Sequence, residues 1–446
     1  MNKNSSFPIA DLLARTGIDT LNEMQQAYLQ SSAAHESVLL QAPTGTGKTL
    51  AFLLGMLQHW NSGKTRECQG LIICPSRELV LQTEQVFRSL QTGIKITACY
   101  GGHKREIEEN SLLETPGLII GTPGRLCDHI RRANIKPETV QQVILDEFDK
   151  CLELGFLEEM NFIRESLTGL QYRTLVSATS LELLPEGWQF GAIETVDFRD
   201  FKITKQEADA LVEYVLSSSE KDKLPILFQL ICHLNNKPAI VFLNHRDAVE
   251  RVFNYLKDQG LYPVFYHGGM EQRDREVAMT KFRNGTSCVL ITTDLAARGL
   301  DVSGLRYIIH YHLPDTAETL LHRNGRTARM FEGGKAIYIL GAGEKLPEFI
   351  NTVITDYALP EELSLPEKPR WTTLFIDAGK KDKISKADIA GFLYQKAMLK
   401  KEDVGMIDVK DFFSFVAVRK LQANLVVERI KLEKLKGRKI KIAIAK

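Results

Sequence analysis

Cysteine is scarce in this chain. There are 7 in 446 residues, at 68, 74, 99, 127, 151, 232 and 288, with no Cys-x-x-Cys pair among them. An odd, scattered set provides neither a disulfide framework nor a zinc pattern, which excludes a small secreted scaffold and predicts a reduced, cytoplasmic protein. Long apolar runs are missing as well: none approaches the roughly 20 residues that cross a bilayer. The opening Met1-Asn-Lys-Asn-Ser-Ser-Phe7 lacks a signal peptide's apolar core, so no membrane association is expected. At 44% hydrophobic and 25% charged, the composition is that of a folded globular protein and excludes a disordered chain.

Net charge is nearly absent, at +1, but it is unevenly placed. Residues 371–446 carry 15 Lys and 3 Arg against 9 acidic residues, a net +9, and the remainder carries 39 basic and 47 acidic residues, a net −8. A basic tail on an acidic body suits an acidic polymer held mainly by the tail. Charge alone equally allows a solvated Lys-rich surface.

At roughly 150 residues per domain the length implies two or three units. Short apolar runs, Val38-Leu-Leu40, Leu71-Ile-Ile73, Ile96-Thr-Ala98, Leu118-Ile-Ile120, Val143-Ile-Leu145 and Thr174-Leu-Val176, alternate with helix-spaced stretches such as 50–60, 77–90 and 157–168. That alternation predicts β-α-β units on a parallel sheet. The rhythm restarts after 200 with Ala239–Phe242, Pro263–Phe265, Val289–Ile291, Tyr307–Ile309 and Ala336–Ile339. Expected boundaries are a first α/β domain over 1–200, a linker over 201–210, a second α/β domain over 211–360, a Pro-rich linker over 361–370 and a small α+β module over 371–446. The module reads as strand 373–376, helix 386–399, a further strand near 405–409, strand 412–416, helix 418–434 and strand 439–442.

Ligands of open parallel sheets bind beyond the carboxyl ends of the strands, and the glycine-rich and polar text lies there. Ala42-Pro-Thr-Gly-Thr-Gly-Lys-Thr49 follows the first strong strand and opens a helix. Amides of Thr44, Gly45, Thr46 and Gly47 can cradle phosphates, Lys48 can reach the β- and γ-phosphates, and Thr49 can hold Mg²⁺. Ala42 stands where the general pattern has its first glycine. Asp146 ends another strand, where a carboxylate suits a metal, and Glu147 is placed to orient or deprotonate an attacking water.

These and further motifs make the chain resemble DEAD-box RNA helicases, which implies two tandem RecA-like domains and covers nearly all of 7–340. Gly17-Ile-Asp-Thr-Leu-Asn-Glu-Met-Gln25 resembles the family's adenine-reading motif, with Phe7 as the stacking aromatic. Pro75-Ser-Arg-Glu-Leu79, Gly101-Gly102 and Thr122-Pro-Gly-Arg125 resemble its RNA-backbone contacts and point to Pro75, Arg77, Gly101, Gly102, Thr122, Gly124 and Arg125. Ser177-Ala-Thr179 resembles the motif coupling hydrolysis to strand separation through Ser177 and Thr179. In the second domain Arg246, Gly268, Gly269, Gln272, Arg275 and Thr293 are the RNA contacts the resemblance implies. Asp301 is the implied ribose contact, and Arg326 and Arg329, in His322-Arg-Asn-Gly-Arg-Thr-Ala-Arg329, complete ATP hydrolysis with Lys48, Asp146 and Glu147. Three departures stand out: Phe148 for the alanine that names the family, Asn324 and Ala328 for Ile and Gly, and His312 for Asp. None removes a group that binds phosphate or metal, so activity is expected.

The tail resembles the RNA-recognition-like domain of the DbpA subgroup through Leu374-Phe-Ile-Asp-Ala-Gly379, Asp388-Ile-Ala-Gly391, Val404–Asp408, Phe412–Val416 and Leu435–Ile440. That implies docking on large-subunit ribosomal RNA, either by stacking bases on Phe375, Phe413 and Phe415 or by a Lys/Arg edge. The function implied is an ATP- and Mg²⁺-dependent, monomeric RNA helicase unwinding local duplexes during ribosome assembly. The alternatives are a DNA helicase and an ATP-gated RNA clamp with little turnover. Outside the motifs His35, His59 and His129 read as surface or cap residues, while His103, next to Gly102, is a candidate extra RNA contact.

Overall fold

The computed structural model describes residues 7–43, 45–64, 66–179, 184–185, 187–188, 192–199, 211–294, 305–325, 334–350, 354–360 and 364–445. The first sheet contains β1 (Ser37–Gln41), β2 (Gly70–Ile73), β3 (Ile96–Cys99), β4 (Leu118–Gly121), β5 (Gln142–Leu145), β6 (Tyr172–Ser177) and β7 (Glu194–Asp197). All pairings are parallel, in the order β3-β4-β2-β5-β6-β1-β7. Helices cover both faces, so β1, β2, β4 and β5 are buried along their whole length, which is why they read as uninterrupted apolar runs. The crossovers begin with ordinary caps; Ser76 Oγ, for example, accepts the Leu79 amide to start the helix Arg77–Ser89.

The second sheet repeats the plan with β8 (Leu211–Ser217), β9 (Ala239–Leu243), β10 (Val264–Tyr266), β11 (Val289–Thr293), β12 (Tyr307–His310), β13 (Gly334–Leu340) and β14 (Thr355–Asp356). Its order is β10-β11-β9-β12-β13-β8-β14, again all parallel. β8 was not expected. Its run Leu-Val-Glu-Tyr-Val-Leu-Ser alternates only imperfectly and carries an acidic residue, Glu213, into the interior.

The tail is a four-stranded antiparallel sheet of β15 (Trp371–Ile376), β16 (Val404–Val409), β17 (Ser414–Arg419) and β20 (Ile442–Ile444), ordered β16-β17-β15-β20, with a β18–β19 hairpin (Lys434–Leu435, Arg438–Lys439) beside it. The expected helix over 418–434 is shorter, Ala423–Ile430, because the β-branched run through Val416 and Val418 extends β17 to Arg419. Leu374, Ile376, Val416 and Val418 pack against the helices Lys386–Lys396 and Ala423–Ile430 in one core. The tail and the second sheet belong to one compact unit. No helix among the described residues is long and apolar enough to cross a membrane.

Candidate functional site

The phosphate-loop residues connect β1 to the helix Lys48–Gln58. Gly45 and Gly47 have φ of 90° and 85°, the left-handed region glycine enters without strain. Gly47 is fixed twice over, since a Cβ there would lie 2.5 Å from Gln25 Nε2. Asn22 and Gln25 form a capping box on the helix Glu23–Ala34, then reach the loop: Asn22 Nδ2 donates to Thr46 O (2.9 Å) and Gln25 Nε2 to Gly47 O (3.3 Å). Asn22 was not foreseen as a site residue, although its spacing from Gln25 was a legible capping signal. Lys48 Nζ donates to Ala42 O (2.5 Å) and Pro43 O (3.1 Å), so the loop's own carbonyls hold the ammonium. Phe7 packs against the core cluster below this loop. Thr44 lies outside the described residues.

Asp146 follows β5 and is 3% exposed. Burial first, and then the neighbouring Glu147 charge, push its carboxyl up to about 7, with Lys48 opposing. Glu147 holds φ of 50°, a left-handed conformation uncommon for this residue type and of the sort found at functional sites. Its amide donates to Asp146 Oδ1 (3.0 Å). Thr179 Oγ1 donates to Asp149 Oδ2 (2.7 Å), and Ser177 Oγ accepts the Thr179 amide (3.0 Å). The Asp146–Asp149 strand end and the Ser177–Thr179 turn are therefore one hydrogen-bonded unit. Oxygen donors at Thr49 and the buried Asp146 are the hard ligands that fit a Mg²⁺ ion.

The other half of the same edge carries the basic and glycine motifs. Register places Ile73, Gly121 and Cys99 side by side at the ends of β2, β4 and β3, which brings Pro75 and Arg77, Thr122–Arg125 and Gly101-Gly102 onto adjacent strand ends. Beneath them Glu108, 2% exposed, accepts from Tyr100 N (2.7 Å) and pairs with His103, Arg125 and His129. The reading of His129 as a surface or cap residue is corrected: it is fully buried, Nε2 lying 2.7 Å from Glu108. A buried ring needs a partner, and that partner comes from a different helix. His35 and His59 do cap helices. His103 has its ring turned to Glu108 Oε1 at 3.0 Å.

In the second sheet the Arg246 guanidinium lies over Gly268, within 3.2 Å of where a Cβ would stand, so the glycine makes room for it. Arg275 NH2 donates to Gly268 O, and Gln272 Nε2 to Glu276 Oε1 (3.2 Å). Gly269 N donates to His267 Nδ1. Thr293 ends β11, paired with Leu243 in β9. Thus Arg246, Gly268, Gly269, Gln272, Arg275 and Thr293 group at one edge. Arg323 is 1% exposed and forms a two-pronged pair with Asp294 (2.5 and 2.7 Å), a bracing part that was not assigned from sequence. Asp301, Arg326, Arg329 and Ala328 lie outside the described residues.

The other departures have physical partners. Phe148 is fully buried and packs on Trp188, centroids 5.6 Å apart. Asn324 bridges His310 Nε2 (3.0 Å) and Glu213 Oε1 (3.2 Å), and Tyr338 also donates to Glu213. His312 Nδ1 accepts the Asn244 amide (3.2 Å); burial pushes this ring down to about 4, leaving it neutral and able to accept as a carboxylate would.

On the tail, one sheet face is already covered. Phe415 is 1% exposed and packs with Phe375, Phe413 and Ala445 against Val277 of the helix Gln272–Arg283. Arg273 sits over the Phe375 ring at 5.3 Å, and Asn284 Nδ2 donates to Thr373 Oγ1 (2.8 Å). Phe415 is thereby spent on packing, while Phe375 and Phe413 are half-buried. Lys380, Lys381, Lys383, Lys436, Arg438 and Lys439 are exposed.

A phosphate loop, a buried strand-end acid and a paired second parallel sheet define a tandem RecA-like nucleotide-hydrolysing motor. Comparisons narrow the class. The DEAD/DEAH box helicase model matches residues 22–183, the helicase conserved C-terminal domain 222–331 and the DbpA RNA binding domain 373–444. The ATP-dependent RNA helicase DbpA of Escherichia coli K12 is 31% identical over 97% of this chain and 96% of its own length. That of Bacillus subtilis 168 is 27% identical over 99% and 98%. Among solved structures, Saccharomyces cerevisiae Dbp5 bound to RNA and ADP BeF3 shares the fold, with a TM-score of 0.66 at 23% identity over 79% of this chain and 94% of that one. The chain belongs to the DEAD-box family of ATP-dependent RNA helicases, with a DbpA-type RNA-binding domain. It is an ATP-binding, RNA-binding enzyme, an RNA-dependent ATPase of the helicase type.

Proposed function

We propose that this helicase opens short RNA duplexes in cytoplasmic assembly intermediates of the large ribosomal subunit, acting as a monomer delivered by its tail. The observation that carries the reading is the division of the first sheet's carboxyl edge. The phosphate loop, the acidic groups and the Ser177–Thr179 turn follow β1, β5 and β6, whereas Arg77, Gly101, Gly102 and Arg125 follow the adjoining β2, β3 and β4. Lys48 and the loop amides hold the ATP phosphates, Phe7 and Gln25 the adenine, and Thr49 with Asp146 the Mg²⁺, which supplies charge neutralisation on the phosphates. Glu147 orients the attacking water. Arg326, Arg329 and Asp301 take their parts in nucleotide binding and hydrolysis by motif resemblance. The RNA contacts are Pro75, Arg77, Gly101, Gly102, Thr122, Gly124 and Arg125 in the first domain, with Arg246, Gly268, Gly269, Gln272, Arg275 and Thr293 in the second. These are mostly backbone contacts, so the core alone selects sequence weakly.

The Asp149–Thr179 hydrogen bond supports a coupling role for Ser177 and Thr179, since any shift of the strand-end acids must move that turn. The domain limits remain 1–200, 211–360 and 371–446, with linkers between. Selection of ribosomal RNA rests on the exposed lysines and arginines of a module whose net charge is +9. Crosslinking the protein to RNA in cells and sequencing the bound fragments tests the proposal. Enrichment of large-subunit ribosomal RNA is expected, and a profile spread evenly over transcripts would refute it. An ATP-gated clamp is the second reading, and measurable multiple turnover of ATP on RNA eliminates it.

A further inference from the structure

The structure places one buried carboxylate, Glu108, under three RNA-contact segments of the first domain at once. Oε1 takes the Tyr100 amide at 2.7 Å and lies 3.0 Å from His103 Nε2, and Oε2 lies 2.7 Å from His129 Nε2 and is ion-paired with the Arg125 guanidinium, whose Nε is 3.1 Å away. Both oxygens are thus doubly engaged. Asn134 Nδ2 lies 3.0 Å from His129 Nδ1; its amide can only donate there, so the His129 proton sits on Nε2 and points at Glu108. Arg125 is also fixed by its own loops, donating to Tyr100 O and His103 O, both at 3.1 Å. Tyr100 extends the chain of contacts to the third segment: its ring meets that of His103 edge-on, centroids 4.6 Å apart, and carries the Arg77 guanidinium at 4.7 Å.

We propose that Glu108 is a positioning residue for RNA binding, locking Arg125, the Gly101-Gly102 turn and, through Tyr100, Arg77 into one preorganised phosphate-binding edge. This rests on the assignment of Arg77 and Arg125 as RNA contacts. The physical reason is entropic and geometric. An arginine free to sample its rotamers must be ordered on binding, whereas one held by a carboxylate and two carbonyls already presents its remaining donors in a fixed direction. The pairing also keeps a cation in place against a 2% exposed carboxylate that would otherwise be unpaired. A metal ion is not the better explanation, although donor atoms of Cys99, Glu108 and His129 lie within 4.8 Å of one another. Arg125 already supplies the positive charge, His129 Nδ1 is taken, and burial together with the Glu108 charge pushes the Cys99 thiol up, away from the thiolate a metal needs. His103 accordingly acts through Glu108 and not by touching RNA.

The test is a cycle in the full-length protein, reading the RNA concentration for half-maximal ATPase stimulation and its salt dependence. Glu108→Gln, which keeps the shape but not the charge, should raise that concentration about tenfold, the scale of one charge-assisted contact. The salt slope should become shallower by up to about 0.7, one single-strand phosphate contact, with the KM for ATP within about twofold. Arg125→Ala should do the same, and the double variant should add little to either, because both act on one contact. His103→Gln, which can still donate, should match the parent, while His103→Ala loses affinity and His103→Lys gains none. If Glu108→Gln does not fold, the His103 series together with Tyr100→Leu, which removes the ring beneath Arg77, decides. An additive double variant, or unchanged RNA affinity in folded Glu108→Gln or in His103→Ala, overturns the proposal. Unchanged affinity in Arg125→Ala instead overturns the assignment of Arg125 on which it rests.

Discussion

Replacing Phe148 by alanine would restore the family's own motif, and the structure says it should make the protein worse. The ring is fully buried beside Cys151 and Trp188 in the core that backs β5, its centroid 5.6 Å from the Trp188 ring at an interplanar angle of 54°. Trp188 cannot move into the vacated space without cost, because its Nε1 is tied to Asn161 Oδ1 at 2.8 Å. Phe→Ala at such sites costs about 3–5 kcal/mol, part of it from an aromatic pair of this geometry. At about 3 °C per kcal/mol for a domain of this size, melting should fall by about 12 °C. With its ring committed to this hydrophobic cluster, Phe148 is expected to stand clear of the chemistry, so ATP turnover at 15 °C, well below the transition, should stay within about threefold of the parent. Phe148→Leu, which keeps most of the volume, should recover more than half of the loss. Differential scanning fluorimetry and RNA-stimulated ATPase assays on the same preparations check both statements. Equal or higher stability in Phe148→Ala would refute the packing account, and abolished turnover in the folded variant would refute the claim that the ring stands clear of the chemistry.

The remaining predictions are more local. Lys48→Ala and Glu147→Gln should each eliminate RNA-stimulated ATP hydrolysis in a folded protein, and turnover at the parental rate in both would sink the assigned site. Arg326→Ala should leave ATP affinity nearly unchanged and lower single-turnover hydrolysis at least about a hundredfold, as arginine fingers do; a change of only a few-fold would remove it from catalysis. Truncation after residue 370 should keep ATPase activity on saturating unspecific RNA, lose preference for ribosomal RNA, and lower the melting temperature of the second domain by uncovering Val277; equal RNA discrimination with and without the tail would contradict the assignment. Although burial works to raise it, the Glu108 carboxyl is held down at about 2 by His103, His129, the Tyr100 amide and Arg125. A depressed carboxylate stabilises the fold above its unfolded value and loses that contribution as pH falls, so the stability penalty of Glu108→Gln should shrink from about pH 4.5 downwards; a penalty constant from pH 7 to 3 would disprove it.

The sheets were legible because a parallel strand buried on both faces has to be apolar throughout, as Leu71–Ile73 and Leu118–Ile120 are. The phosphate loop and Asp146 were legible because their chemistry is compressed into short spans at strand ends. What could not be read was partnership across distance. Glu108 lies in a charged helix, Arg105–Leu112, in which nothing singles it out by sequence, and only the fold brings it to His129 and Arg125. His129 was misread for the same reason. Glu213 is comparable: an acidic residue in a weakly alternating run concealed β8, because the partners that make its burial tolerable, Tyr338 and Asn324, lie more than a hundred residues further along. The helix expected over 418–434 is present over Ala423–Ile430 but begins later than expected, since local periodicity was outweighed by the pairing of β17 with β15 from Trp371↔Arg419 to Ile376↔Ser414.

The departures from the family pattern follow the same logic and explain why they need not impair the enzyme. A large ring at 148 is tolerable only where the opposite wall offers an aromatic with room beside it, and Trp188 does. A polar amide at 324, in place of Ile, would leave buried donors and acceptors unsatisfied in an apolar setting. Here its carbonyl meets His310 and its amide meets Glu213, so the exchange replaces an apolar contact with a closed polar one. Each half of that exchange is costly without the other: without Asn324 the buried Glu213 would lose a donor and His310 would lose the acceptor at Nε2. Substitutions at 213, 310 and 324 should therefore be coupled, and the sign of that coupling follows from the hydrogen bonds, not from resemblance. The compensation takes place among buried side chains, Glu213, His310 and Tyr338, and leaves the proposed ATP and RNA contacts at the strand ends unaltered in residue type.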